Sequence, residues 1–315
     1  MGSFEEIEKK RKRAMILVIV QVAILIPSVI AFIGAGAIAD AINPSNYAET
    51  TWAIWGIVVV LNVGLLVINS FLWSKFKDSY KTGIVQPALE GIFDNLQYLP
   101  ESGIPYETIE RTNLVPKAER YACNDYIAAS YKDVHFESSD VDLKVVVHTK
   151  NSTQEVSFLT GRWMIFDFNK DFKANMRVGQ KGFVKQSFMQ KHMAWREAQK
   201  VELENHAFNK RFDVRATSPQ EAFYLLTPHF MESLLALSDK LGRKIMLGFL
   251  DNKLHICLKG VNAFEPKMFK KISAEKTGQL VAGEICQITD FVEELKMDRT
   301  IFKRTEGESV ELESK

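Results

Sequence analysis

Cysteine is scarce in this chain of 315 residues: Cys123, Cys257 and Cys286 are widely spaced and odd in number. No CxxC pair is present, so a disulfide framework is excluded and the usage fits a reducing compartment. A nucleophilic role would need a neighbouring base that the sequence does not supply, so all three are expected to be buried small hydrophobes. Net charge is also lacking, at +1, which removes the global positive field that nucleic-acid binding uses. No GxSxG, P-loop, kinase or HExxH signature occurs. The six histidines, His135, His148, His192, His206, His229 and His255, form no close pair and are expected on surfaces or in packing. No cofactor and no catalytic residue is therefore assigned.

Charge is missing altogether from two long stretches. Residues 14–39, "AMILVIVQVAILIPSVIAFIGAGAIA", run for 26 positions without a charge, and 52–73, "WAIWGIVVVLNVGLLVINSFLW", run for 22. A bilayer core of about 30 Å needs about 20 helical residues, so both are long enough to cross. The flanks orient them. "KKRKR" at 9–13 precedes the first, Lys75, Lys77 and Lys81 follow the second, and the connecting "DAINPSNYAETT" has no Lys or Arg. The positive-inside bias puts both termini in the cytoplasm, with the lipid bilayer of the inner (plasma) membrane as the first partner. A cleaved signal peptide is the rival, but its apolar region would be only about 7–15 residues.

Gln21, Asn62 and Asn69 are polar positions inside the runs, and Gly34 lies in "GAG" at 34–36. An interhelical hydrogen bond from Gln21 to one of the asparagines, and close helix approach at Gly34, Gly56 and Gly64, are the expected packing devices; the same surfaces suit a homo-oligomer. With no ionisable residue inside either run, an ion pathway is disfavoured.

Beyond Trp73 the pattern changes. Residues 74–105 read as a helical linker, with Ala88, Ile92, Phe93 and Leu96 on one face. From 106 to 286 the chain is strand-rich: 140–150, 156–168 and 200–217 carry β-branched and aromatic residues, and 244–260 reads as a hairpin about Asp251-Asn252. Ser218-Pro219-Gln220-Glu221 is a capping box, Thr227-Pro228 a second start and Gly242 a stop, predicting two short helices or one kinked one. The fold class is α+β: a two-helix transmembrane hairpin, then a cytoplasmic mixed sheet with packed helices. Residues 287–315 thin out in apolar content and are expected to be a charged, disordered tail.

Several segments together resemble a bacterial membrane-protein family, domain-of-unknown-function family 3137 (DUF3137). They are "GRWMIFDFNKDF" (161–172), "FNKRFDVRATSPQEAFYLLTPHFMESL" (208–234), "LGFLDNKLHICL" (247–258) and "FEPKMF" (264–269). The F-N-K-x-F-x-V…L-T-P-x-F-M order is the specific part, and the likeness covers roughly residues 90–270, "YETIERTNLVP" (106–116) and "CNDYIAASYKDVHFESSDV" (123–141) included. The resemblance implies N-terminal spans, a soluble domain of unassigned activity and association with small LemA-type membrane proteins. It supplies no catalytic residues.

Two local features invite chemistry. Asp167, Asn169 and Asp171 share the spacing that opens an EF-hand loop, but positions six and twelve are Phe172 and Val178 where calcium needs Gly and Glu. As an acid pair, Asp167 and Asp171 would stand about 13 Å apart on an extended strand. The second feature is basic. Lys170, Lys173, Arg177, Lys181, Lys185, Lys191, Arg196 and Lys200 face only Asp171 and Glu197, eight positive charges against two negative. Phe172, Phe183, Phe188 and Trp195 are interleaved. Beneath an anionic leaflet this stretch is expected to touch lipid or an acidic partner. The leading expectation is thus a membrane protein presenting a partner- or lipid-binding module. A membrane-anchored enzyme of unrecognised chemistry, or an accessory subunit of a transport or envelope complex, are the alternatives.

Overall fold

The computed structural model describes residues 2–148, 152–167, 175–184, 198–250, 252–260 and 264–297. They form two compact units: Met1–Ala88 with Phe264–Leu280, and Leu89–Ala263 with Val281–Lys315.

In the first unit the apolar runs are helical because nearly all their side chains are hydrocarbon and leave the backbone to satisfy its own i to i−4 hydrogen bonds. Helix α1 spans Gly2–Ile33, α2 Ala35–Ile42 and α3 Tyr47–Tyr80. Pro27 sits inside α1 and Gly34 separates α1 from α2. A short turn at Pro44–Asn46 reverses the chain, so that α1 and α3 pack side by side. Among the described residues two helices are long and apolar enough to cross a membrane, and none of either apolar window is buried by protein. A helix hydrophobic all round its surface requires an apolar surrounding. Helix α1 also runs through the basic stretch at 9–13, with Ile7, Arg11 and Ala14 forming one buried stripe at helical spacing.

The linker expected over 74–105 is helical only in its first part. Helix α3 continues into a wide turn at Lys81–Val85 and helix α4, Gln86–Glu90. The chain then becomes strand β1, Asp94–Leu99. Phe93 decides the change: its ring packs 5.0 Å from Phe136 and 6.1 Å from Tyr131, a sheet environment that overrides the helical spacing of Ile92 and Leu96.

The second unit is a nine-stranded antiparallel sheet with packed helices, so the α+β class holds. After β1 come β2 Arg120–Tyr131, β3 Val134–His148, β4 Thr153–Asp167, β5 Met176–Gln180, β6 Gln199–Val201, β7 Phe212–Ala216, β8 Ile245–Leu250 and β9 Lys253–Lys259. Their order is β1-β2-β3-β4-β9-β8-β5-β7-β6. The tight β2–β3 turn uses Lys132 and Asp133 at φ 49° and 61°, the conformation a two-residue hairpin demands, and Asn252 (φ 59°) serves between β8 and β9.

Both sheet faces are covered, which explains why "IMLGFL" reads as an unbroken apolar run. One face carries Phe136, Met164, Phe166, Leu247, Phe249, Leu254 and Ile256, aligned by register across β3, β4, β9 and β8. Helix α8 (Pro228–Leu241) covers it, Phe230 lying 6.0 Å from Phe249. The other face, with Val141, Leu143, Trp163, Ile165, Met246 and Cys257, packs on Ile104, Ile109, Leu114 and Ala118 around helix α5, Tyr106–Arg111. Gly248 lies on this face, where a Cβ would meet the end of the Leu114 side chain at 2.4 Å and displace it.

Four expectations are corrected. The strand expected over 200–217 is broken by helix α6, His206–Arg211, because Asn205 Oδ1 accepts from the Phe208 N–H at 3.0 Å and starts a helical turn. The Ser218 capping box does not close: its hydroxyl meets Gln220 Oε1 instead, and helix α7, Pro219–Leu225, begins without it. Thr227 does cap α8, at 3.2 Å from the Phe230 nitrogen, and Gly242 (φ 59°) ends it. The tail does not begin at 287, for helix α9 runs Ala274–Glu294 and buries Val281, Ile285, Ile288 and Val292 at helical spacing, with Leu295 buried in the turn that follows. Residues 298–315 lie outside the described residues. Of the cysteines, Cys257 is buried and Cys123 half-buried, whereas Cys286 is exposed on α9, contrary to expectation.

Candidate functional site

Asp167 ends β4, exposed, with Lys253 Nζ 3.6 Å away. Asn169 and Asp171, the rest of the D-x-N-x-D stretch, lie outside the described residues. Among the described residues no group of three His, Cys, Asp or Glu side chains is arranged to hold a metal. His135, His148, His206 and His229 are exposed; His192 lies outside the described residues. His255 is buried, and Trp163 Nε1–H donates to its Nδ1 at 3.2 Å. Burial, aided by Lys253, pushes its pKa down to about 4, so the ring is neutral at physiological pH.

The basic stretch divides. Lys170, Lys173, Lys185, Lys191 and Arg196 lie outside the described residues. Arg177 is corrected: it is 6% exposed on β5, and its Nε donates to the Leu114 carbonyl at 3.2 Å. Burial lowers its pKa against the pull of Asp213. The residue serves the core of this unit and is closed to a headgroup. Lys181 and Lys200 are exposed, Lys181 donating to the Asn209 carbonyl and Lys200 paired with Glu202, both at 2.8 Å. Register sets Arg177 and Lys200 opposite Arg215 of β7 from either side, so the row is shared among three strands and includes a residue outside 170–200.

A second polar cluster lies within the sheet. Asp140 and Arg162 are register partners on β3 and β4, bonded at 2.9 Å and 3% and 1% exposed. Beside them a bulge in β2 places Asp125 at φ 56°, where its carboxylate accepts from Tyr98 Oη at 2.5 Å and Asn124 Nδ2 at 2.7 Å. Burial, reinforced by Asp125, drives the Tyr98 pKa far up, so the phenol stays a donor.

Within the first unit, the hydrogen bond expected between Gln21 and an asparagine is made by Asn69, whose Nδ2 donates to Gln21 Oε1 at 2.8 Å. Asn62 instead reaches Ser28 Oγ at 3.0 Å and the Val58 carbonyl of its own helix. Gly34 marks the α1–α2 break; a Cβ there would come within 3.1 Å of the Ile30 carbonyl.

The most developed constellation stands where α1 begins and α3 ends. The segment after the sheet, from Phe264, lies across these two helix ends. Glu265 places one carboxylate oxygen on Lys77 at 3.0 Å and the other on Lys81 at 2.9 Å, and Lys81 is 1% exposed. Burial alone would raise the Glu265 pKa; the two ammonium groups outweigh it and hold the carboxyl below its ordinary 4.5. Glu8 takes a two-pronged bond from Arg11, at 2.7 and 2.8 Å, and accepts the Ile272 N–H at 3.0 Å. Arg11 Nη1 donates onward to the Met268 carbonyl at 2.5 Å. Charge-assisted bonds of this kind are worth about 1.5–3 kcal/mol each when shielded from water. Glu8, Arg11, Lys77, Lys81 and Glu265 thus clamp residues 264–272 to both helices. Sequence reading missed all five as a set, because the bonds join positions 257 and 264 residues apart. The one available signal is helical spacing, which puts Glu8 beside Arg11 and Lys77 beside Lys81.

Comparison with known proteins bears on the second unit above all. Residues 157–297 match the family described as Protein of unknown function (DUF3137). The match runs from within β4 to just past α9, so the likeness is to this part of the chain; residues 90–156 lie outside it. No curated protein matches the chain. Among solved structures, the crystal structure of the mycobacterial trehalose monomycolate transport factor A, TtfA, is similar at 8% identity over 71% of this chain and 96% of that one, with a TM-score of 0.36. A likeness of that degree carries no argument about function.

Proposed function

We propose that this chain, bearing a DUF3137 domain, is a two-span inner-membrane protein whose α+β domain is a cytoplasmic binding module for a second membrane protein. Both termini lie in the cytoplasm in this reading, as the lysine-rich flanks of the spans favour. The observation that carries it is the clamp on residues 264–272. A tethered enzyme needs one linker to its anchor; here the chain passes between the two units at 88–89, again at 263–264 and again at 280–281. The middle visit is pinned to both helix ends by Glu8, Arg11, Lys77, Lys81 and Glu265. A partner that shifts the helices in the membrane therefore acts on chain leading into the domain from both directions. Open space at Gly56 and Gly64 of α3 gives such a partner room to approach the helix backbone.

The test is gentle solubilisation of the full chain and recovery of what accompanies it. A membrane protein should co-purify, and its yield should fall when Glu265→Gln weakens the clamp. Recovery of the chain alone would sink the binding role. Terminal reporter fusions check orientation separately, and activity confined to the outer side of the membrane would reverse it.

A further inference from the structure

Phe269 is 74% exposed, while Phe264, five residues earlier, is fully buried. A single exposed aromatic is ordinary on a protein surface, so exposure alone decides nothing. Position decides it. Residues 267–270 form a tight turn, closed by the Lys270 N–H on the Lys267 carbonyl at 3.1 Å, which puts Met268 and Phe269 at the tip. The turn is fixed in height, because the Met268 carbonyl accepts from Arg11, whose Nη1 also lies 3.5 Å from Met15 Sδ. Arg11 precedes the uncharged run of α1 by three residues, about 5 Å along the helix axis. The headgroup layer on each side of a bilayer is about 5–8 Å thick. The tip therefore stands at headgroup depth wherever α1 enters lipid.

The chemistry around the tip suits that depth. Lys267, Lys270 and Lys271 are exposed on the turn, and Lys9, Lys12 and Arg13 are exposed on the neighbouring part of α1. Exposed acids of the same helix, Glu5 and Glu6, lie further from the uncharged run. An aromatic flanked by lysines is the composition that seats itself at an anionic interface, ring toward the acyl chains and ammonium groups among the phosphates. We propose that the 267–271 turn is a second, interfacial membrane anchor: Phe269 inserts at the acyl boundary, and Lys267, Lys270 and Lys271 bind anionic headgroups. The inference rests on the reading that α1 and α3 span the membrane. It moves the lipid contact from the 170–200 stretch to the clamp segment.

The experiment uses the full chain in vesicles of mixed phosphatidylglycerol and phosphatidylcholine. Cys123→Ser and Cys286→Ser remove the accessible thiols, and buried Cys257 stays. Single nitroxide labels are placed through Phe269→Cys, through Val60→Cys in the middle of α3, and through Lys117→Cys on the sheet unit. Collision with oxygen and with a soluble nickel chelate then reads depth. Position 60 should be in lipid, position 117 in water, and position 269 should gain oxygen collisions and lose chelate collisions relative to 117. Replacing Lys267, Lys270 and Lys271 by Gln should make 269 shallower in the anionic vesicles and leave it unchanged in phosphatidylcholine alone. A label at 269 that behaves as at 117, with 60 in lipid, overturns the anchor and leaves the spanning reading standing. A label at 60 in water overturns the spanning reading and the anchor with it. Depth at 269 that ignores both the lysines and the lipid charge overturns headgroup binding.

Discussion

Among the described residues each unit holds charged contacts shielded from water, and Asp140–Arg162 in the sheet is built differently from Glu265 with its two lysines. Asp140 and Arg162 face each other across adjacent strands, 22 residues apart, inside a sheet that would bring the backbones together in any case. Glu265 reaches Lys77 and Lys81 from the far end of the chain, in a segment whose ends are also held by the buried side chains of Phe264 and Ile272. The first pair is enclosed and shares its surroundings with Asp125 and Tyr98; in the second Lys81 is enclosed too, but Glu265 and Lys77 keep about a fifth and a third of their side chains open to solvent. Burial makes the loss of one partner costly, since it strands a charge. Partial exposure makes a pair cheap to break and therefore suited to movement.

The sharpest way to test this contrast is to break the enclosed pair. Asp140→Ala or Arg162→Ala should cost about 3–5 kcal/mol in thermal unfolding of the solubilised chain, whereas Asp140→Leu with Arg162→Met should come close to the parent. Equal losses in single and double variants would mean that geometry, not stranded charge, sets the cost.

Acid should reach the sheet unit next, through His255. Its pKa is depressed to about 4 in the fold against 6.5 unfolded, so the unfolded chain binds the extra proton between those values. Stability is full above pH 6.5 and falls on acidification to about 4, by about 3 kcal/mol in all at about 1.4 kcal/mol per pH unit. His255→Gln keeps an acceptor for Trp163 and should flatten this slope.

The clamp should respond more weakly. Glu265→Gln should loosen residues 264–272 by about 1–2 kcal/mol, seen as faster amide exchange there with the sheet unchanged. Its carboxyl lies below 4.5, so the clamp is complete above that value and lost as pH falls through the depressed pKa. Smallest of all, Asn69→Ala should remove its bond to Gln21 for about 0.6 kcal/mol, a slight fall in thermal stability in detergent.

Much of the fold was legible in the residues. Hydropathy placed both long helices, the Asn252 turn and its alternating flanks placed β8 and β9, and Thr227 and Gly242 bounded α8. The misses share a cause. Asn205 starting a helix, Phe93 turning a helical pattern into strand, and α9 extending past 287 each depend on partners remote in sequence. The candidate site was less legible still. Eight basic residues looked alike in one dimension, yet Arg177 is enclosed by Leu114 while Lys200 is open, and Arg215, outside the stretch, stands between them in register.

The sequence alone determined that two segments are too apolar for water and that an α+β domain follows. Hydrophobicity and turn chemistry are properties of neighbouring residues, and they act locally. Tertiary structure alone decided which charges are enclosed, and that residues 264–272 return to the helix ends of the first unit. An ion pair between positions 81 and 265 is invisible along the chain, because its energy depends on burial and distance, which exist only after the fold has formed.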